Sequence, residues 1–264
     1  MNILYVGDIM GELGIQTMER VLPSLKRERQ IDVVIAQAEN VTDGKGMDPL
    51  DMNRLQKIGV DFFTGGNHTP RQSSLEPRLE DPLSPVIGPA NMPSSPGRGW
   101  KYLETPAGKV LVVSLLGATV GQPVESENPL HAIDKILKDA EVEPHIATVV
   151  NFHGDYSSEK VIIGHYLDGR ASLVVGDHWH VPTADARVLP GGTAHISDVG
   201  MVGALDGSLG VTWNSVIPRW RDGKQTRNEL IEQGATQFNA VLVDVDTTTG
   251  LALSIEQIRL TFEH

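Results

Sequence analysis

Five short apolar runs in this chain each stop at polar residues of one chemical kind, and that recurrence restricts the fold more than any other feature. Asn2–Val6 ends in Gly7-Asp8, and Asp32–Ala36 runs on to Glu39-Asn40. Val60–Thr64 ends in Gly66-Asn67-His68, Ile146–Val150 in Asn151-Phe152-His153, and Ala171–Val175 in Gly176-Asp177-His178-Trp179-His180. Helical patterns lie between the runs. Met18, Val21, Leu22 and Leu25 fall at helical spacing, with Pro23 expected to kink or restart that helix because an interior proline costs ~3 kcal/mol. Asp48-Pro49 and Asn128-Pro129 open two further helices with a cap residue followed by proline, and Ser157–Leu167 is a fourth, stopped by Gly169. Strands alternating with helices predict an α/β fold with a largely parallel sheet, and such sheets bind ligands outside the carboxyl ends of their strands.

The rest of the chain is less regular. Residues 81–99 are proline-rich, with a short strand expected near Val86-Ile87, and Lys101–Glu104 with Lys109–Leu116 reads as a hairpin about Pro106-Ala107-Gly108. Past His180 come loops, a Gly-rich excursion over Asp198–Gly210, and a closing antiparallel pair, Ala240–Val245 with Leu251–Leu260. No linker or repeat divides the chain, so residues 1–264 are expected to form a single domain. A net charge of −12 argues against stable nucleic-acid binding, which wants a basic face. The chain has no cysteine, so any metal must be held by nitrogen and oxygen. No window approaches 18 apolar residues and no signal peptide is evident, so no membrane contact and a cytoplasmic location are expected.

The strand ends together carry two carboxylates (Asp8, Glu39), two amides (Asn40, Asn67) and four histidines (His68, His153, His178, His180). That is more than one ion needs, and two ions sharing a bridging carboxylate is the simpler account. His178 and His180, at i and i+2, are expected on one side of an extended segment with Trp179 on the other. Gly7, Gly11 and Gly14 lack the spacing of a dinucleotide loop. His131, His145, His165, His195 and His264 are read as ordinary packing or surface residues, with His195 adjacent to the cleft after its Gly-Gly loop.

Gly7-Asp8, Gly66-Asn67-His68, the isolated His153 and Gly176-x-His178-x-His180 resemble the calcineurin-like metallophosphoesterases. A closer resemblance, to the YmdB-like phosphodiesterase family, rests on Gly7-Asp8-Ile9-Met10-Gly11, Ala38-Glu39-Asn40, Gly66-Asn67-His68-Thr69, Phe152-His153, Ser158-Glu159-Lys160, Leu167-Asp168-Gly169-Arg170, His180-Val181-Pro182-Thr183-Ala184-Asp185 and Leu189-Pro190-Gly191-Gly192-Thr193-Ala194. These segments span essentially the whole chain. The wider superfamily usually has Asp-x-His in its first motif and a bridging Asp, where this chain has Met10 and Glu39.

The resemblance implies β-sheets flanked by helices, with the metal site at the carboxyl ends of the strands. It implies one ion on Asp8, Glu39, Asn40 and His180, a second on Glu39, Asn67, His153 and His178, and His68 as the proton donor. Iron is the implied metal, with Mn or Zn also suited to such ligands. The implied activity is hydrolysis of 2′,3′-cyclic nucleotides or related small phosphodiesters by a metal-bridging hydroxide, in a homo-oligomer. Two alternatives stay open: a phosphomonoesterase or nucleotidase on the same site, and a regulatory nucleotide-binding protein whose turnover is incidental. The chain departs from its family at Pro70-Arg71, at Asp177 and Trp179 beside the paired histidines, and at Gly154-Asp155-Tyr156 after His153. These departures are expected to leave the ligands untouched and to bear on substrate fit.

Overall fold

Strands buried on both faces send alternate side chains to opposite layers, and that single rule builds most of this molecule. The computed structural model describes residues 1–121 and 124–263, so His264 lies outside the described residues. The chain begins with β1 (Asn2–Val6), β2 (Asp8–Ile9), α1 (Gly11–Glu28), β3 (Val33–Gln37), α2 (Pro49–Lys57) and β4 (Phe62–Thr64). The short helix α3 (Glu76–Glu80) leads to the hairpin β5 (Trp100–Thr105) and β6 (Gly108–Leu116). Then come α4 (Pro129–Ala140), β7 (Ala147–His153), α5 (Ser157–Tyr166) and β8 (Leu173–Asp177). The last third adds β9 (Arg187–Val188), β10 (Ala194–Ile196), β11 (Met201–Ala204), α6 (Trp213–Asp222), β12 (Thr236–Asp246) and β13 (Leu251–Phe262).

The strands form two sheets rather than one. The first runs β2-β11-β12-β1-β3-β4 with β13 on β12, and the second runs β5-β6-β7-β8-β10-β9. Both are mixed: the α/β fold with β-sheets flanked by helices is as expected, while the largely parallel sheet is corrected by the antiparallel pairs in each. The central pairs β1/β3, β3/β4, β6/β7, β7/β8 and β8/β10 are parallel because helices or long connections separate their strands. The hairpins β5/β6 and β12/β13 are antiparallel because their connections are too short for a crossover.

Alternation then assigns the layers. Leu4, Val6, Val34 and Ala36 pack with Met18, Val21 and Leu22 of α1 and Met52 and Leu55 of α2. Their neighbours Ile3, Tyr5, Val33 and Ile35 face the other way, onto Val110, Val112, Val149, Leu173 and Val175 of the second sheet. That sheet's remaining face, Leu111, Val113, Val150 and Val174, packs under Ile133 and Ile136 of α4 and Ile163 of α5. The result is helix, sheet, sheet, helix.

Several local expectations meet corrections. α1 runs unbroken through Pro23. One lost backbone donor weighs less than the buried face that Met18, Val21, Leu22 and Leu25 give the helix. Asp48 and Asn128 do cap α2 and α4, accepting from Leu50 N and Leu130 N respectively. The Gly-rich excursion after Asp198 contains β11, and the segment beyond it forms α6, a helix the expectations above do not include. Val86 makes only an isolated parallel bridge to Phe63. Among the described residues no helix is long and apolar enough to cross a membrane.

Candidate metal centre

The inner faces of both sheets change character at their carboxyl ends. Along β1, β3, β7 and β8 the inward positions run Ile3-Tyr5, Val33-Ile35-Gln37, Val149-Asn151-His153 and Leu173-Val175-Asp177, apolar at first and then polar. Tyr5, Gln37, Asn151, His153 and Asp177 are all fully buried, so each needs a partner, and they find it in one another. Asp177 is the hub. It accepts from Tyr5 Oη at 3.2 Å, from Gln37 Nε2 at 3.0 Å, from Asn151 Nδ2, and from His153 Nδ1 at 2.6 Å. This polar plug closes the inter-sheet layer, and the ligand-type residues stand on it.

Two groups form above the plug and share Glu39. On one side His153 Nε2 lies 3.1 Å from Glu39 Oε1 and 3.1 Å from Asn67 Oδ1. The His178 ring stands edge-on to His153, with centroids 4.6 Å apart. Glu39, His153 and His178 each present a ligand atom within 4.8 Å of the others, a spacing that could hold an ion. On the other side Asn40 Nδ2 is 3.3 Å from Asp8 Oδ1 and 3.2 Å from His180 Nε2, and His180 Nε2 is 3.7 Å from Asp8 Oδ1. The Asn40 amide turns its nitrogen to this pair and its oxygen to His68, so a half-turn about its last bond brings Oδ1 to Asp8 and His180. His68 sits at the shared edge. Its Nδ1 is 3.0 Å from Asn40 Oδ1 and 3.3 Å from Glu39 Oε1, and its backbone N–H donates to Glu39 Oε2 at 2.9 Å. Gly66 makes this approach possible, because a Cβ there would lie 2.6 Å from His153 Cδ2 and closer still to Glu39 Oε2.

His178 and His180 are not on an extended segment. β8 ends at Asp177, and both histidines adopt left-handed backbone angles, φ 99° and 61°. The arch between them turns the Trp179 ring the other way, onto Lys160 Nζ at 4.4 Å, with Nε1 donating to Asp155 O at 3.1 Å. The buried Lys160–Asp198 ion pair, 2.9 Å long, holds the arch from behind, since Asp198 also accepts from Trp179 N and Lys160 Nζ donates to Asp177 O.

Two of the departures from the family pattern do reach ligand-type residues, contrary to expectation. Asp177 holds His153, and Asp155 Oδ1 is 3.0 Å from His178 Nε2. Alternation along β8 could have exposed the first, because Asp177 shares the inward face of Leu173 and Val175. His195 is buried with Nδ1 at 3.0 Å from Val174 O and does not reach the cluster. Arg98 lies over the Trp100 ring, 4.8 Å from its centroid.

The electrostatics describe a site short of positive charge. Burial pushes the Asp8 carboxyl well above its ordinary range, and Asp177 adds to the effect. Burial would do the same to Glu39, but His153 and then His68 outweigh it and hold that carboxyl well below the ordinary range. Burial would lower His153, yet Glu39 and Asp177 overcome it and raise the ring well above an ordinary imidazole. Burial brings His178 down to about 4, with His153 adding to it, and burial likewise brings His180 down to about 4. Both are therefore neutral donors at physiological pH, the form that binds a metal. The donor set and the excess of buried carboxylate both fit a cation.

Comparison with known proteins identifies the chain's family. The family model described as YmdB-like protein matches residues 4–258. A Bacillus subtilis protein named 2′,3′-cyclic-nucleotide 2′-phosphodiesterase is 36% identical over 266 residues, covering 100% of this chain and 98% of its own length. The crystal structure of a novel phosphatase from Mycoplasma pneumoniae superposes with a TM-score of 0.92 at 28% identity, covering 100% of this chain and 94% of that one. A 5′-nucleotidase precursor from Thermus thermophilus shares the fold alone, with a TM-score of 0.55 at 14% identity over 100% of this chain and 54% of that one. With the model spanning nearly every residue and a relative alike from end to end, this chain belongs to the YmdB-like family.

Proposed function

We propose that this chain is a metal-dependent phosphoric diester hydrolase acting on small phosphodiesters, 2′,3′-cyclic nucleotides foremost. The observation that carries the reading is the convergence of Asp8, Asn40 and His180 on one side of Glu39 and of Asn67, His153 and His178 on the other. These residues would hold two transition-metal ions, with Glu39 common to both. Iron is the first choice and Mn or Zn suit the same hard-oxygen and imidazole donors. Bound there, the ions supply charge against the phosphoryl oxygens and the Lewis acidity that makes water a nucleophile at neutral pH.

The chain's own residues supply the proton and the shape. His68 Nδ1 is engaged by Asn40 Oδ1 at 3.0 Å, and the ring lines the cleft over the cluster. With Asn40 turned to offer Oδ1 to an ion, Nδ1–H stays with Glu39 Oε1, 3.3 Å away, and the ring, as the imidazolium, gives its Nε2 proton to the departing alkoxide as water adds an oxygen to phosphorus and the P–O bond to the leaving group breaks. A cyclic diester opens in this way to a phosphomonoester. Asn67 is neutral and adds no charge to repel a phosphodiester. The name of the Bacillus relative supports the substrate class.

The test is metal analysis together with hydrolysis of bis-p-nitrophenyl phosphate and 2′,3′-cyclic AMP. Failure to bind a transition metal, with no Mn- or Fe-stimulated turnover, would refute the reading. His68→Ala should keep its metal and lose roughly 10²–10⁴-fold in kcat. An equal loss of metal would move His68 into the ligand set.

A further inference from the structure

The cleft over the cluster has a floor and a wall of different character. The floor is Glu39, His68, His178 and His180, which the hydrolase reading occupies fully. The wall is α6, whose Val216, Arg219 and Trp220 face the same space of about 330 Å³. That volume is at the small end of ligand pockets, ~300–1,000 Å³, and suits one nucleotide unit rather than a polymer. Trp220 is 84% exposed. Among the described residues no other ring and no cation lies against it, whereas Trp100 and Trp179 are each covered by one. An indole left bare at the mouth of a polar site is a stacking surface without its partner. Arg219, beside it, is held by Thr226 and Asn228, and Lys45 lines the same cleft. On a chain of net charge −12, two cations at this mouth complement an anion.

We propose that Trp220 is a specificity-determining residue which stacks on the nucleobase of a nucleoside phosphodiester while the phosphate lies over the floor. The inference rests on the hydrolase reading and refines its substrate class. The pocket is matched to an amphipathic ligand: anionic at the floor, flat and aromatic at the wall. Trp220 also ends an exposed row on α6 with Trp213 and Ile217, at i, i+4 and i+7, which a second copy of the chain could cover instead.

The test compares 2′,3′-cyclic AMP with glycerol 1,2-cyclic phosphate, which has the same five-membered cyclic diester and no base. Trp220→Ala should raise KM for the nucleotide and lower the ratio of kcat/KM between the two substrates by about tenfold. Trp220→Phe, which keeps a ring, should restore most of that ratio. Titration with adenosine 3′-monophosphate should quench tryptophan fluorescence in the wild type and not in Trp220→Phe, a readout that needs no turnover. An unmoved substrate ratio, or quenching that survives in Trp220→Phe, would overturn the proposal. A shift in oligomeric state with Trp220→Ala and no change in the ratio would assign the surface to a second copy. If the wild type hydrolyses neither substrate yet shows the Trp220-dependent quenching, the hydrolase reading falls and the stacking site stands.

Discussion

Asp177→Asn is nearly isosteric, yet it should be among the most damaging single substitutions in this chain. Asp177 Oδ2 receives Tyr5 Oη, Gln37 Nε2 and Asn151 Nδ2, and Oδ1 receives His153 Nδ1. An asparagine can offer an oxygen at only one of the two places. If its NH₂ takes the Oδ2 place, the two amide donors of Gln37 and Asn151 face a third donor in a fully buried site. Each buried donor left unsatisfied costs about 1–3 kcal/mol, so the pair costs about 2–6 kcal/mol. If its NH₂ takes the Oδ1 place, it confronts His153 Nδ1–H and drives the proton to Nε2, the nitrogen that faces Glu39 and Asn67. The ring can then no longer offer Nε2 to a metal. Loss of such a supporting partner lowers metal affinity by roughly 10–100-fold. At roughly 2–4 °C per kcal/mol for a chain of this size, even about 3 kcal/mol lowers Tm by roughly 6–12 °C. Differential scanning calorimetry and Mn²⁺ titration calorimetry read the two effects. A variant that melts within about 2 °C of the wild type and binds Mn²⁺ with an unchanged Kd would show that Asp177 neither anchors the plug nor orients His153.

Two further outcomes follow from the same cluster. Gly66→Ala should abolish metal binding while leaving most of the fold intact, because the atoms its Cβ would press on first, His153 at 2.6 Å and Glu39, belong to the cluster; circular dichroism with metal analysis checks it, and a normally loaded variant refutes it. Metal binding at pH 7 should release close to one proton at His153, and affinity should climb as pH rises through that group's elevated value. The sign is fixed: the imidazolium between Glu39 and Asp177 stabilises the metal-free fold fully below the unfolded value of ~6.5 and is lost as pH passes the higher folded one. Calorimetry in buffers of different ionisation heat measures the release, and none at pH 7 would mean that His153 is already neutral.

How far the sequence carries depends on which physical signal each part leaves in it. The layers are legible because strand alternation, proline-led helix starts and capping residues act locally: Asp48 and Asn128 cap the helices they announce. The ligand-type residues are legible because they sit where apolar runs stop. The division into two sheets is not, since the packing of Tyr5 and Ile35 against Val112 and Val175 depends on pairs far apart in the chain. α6 is hidden for another reason. Its apolar residues Trp213, Val216, Ile217 and Trp220 do fall at helical spacing, but Pro218 interrupts them and all except Val216 face solvent rather than a core.

The histidine pair shows how an expected separation of side chains can arise from a geometry other than the expected one. Strand alternation would carry His178 and His180 to one side and Trp179 to the other. The structure reaches the same partition by a left-handed arch, which costs of order 1–3 kcal/mol at each non-glycine residue. A straight strand would send both imidazoles in one direction from points about two residues apart. The arch instead directs His178 to the His153 side of Glu39 and His180 to the Asp8 side. The strain therefore has a use, and something must sustain it. Lys160, fully buried, ties Asp177 O to Asp198, and Asp198 accepts from Trp179 N, so a buried ion pair grips the arch at its start and at its middle. Such pairs are weak evidence for stability in themselves, because desolvation cancels much of their attraction. Their value here is positional. The ion pair keeps two histidines in a conformation that neither would choose alone, and it leaves one imidazole on each side of the shared carboxylate.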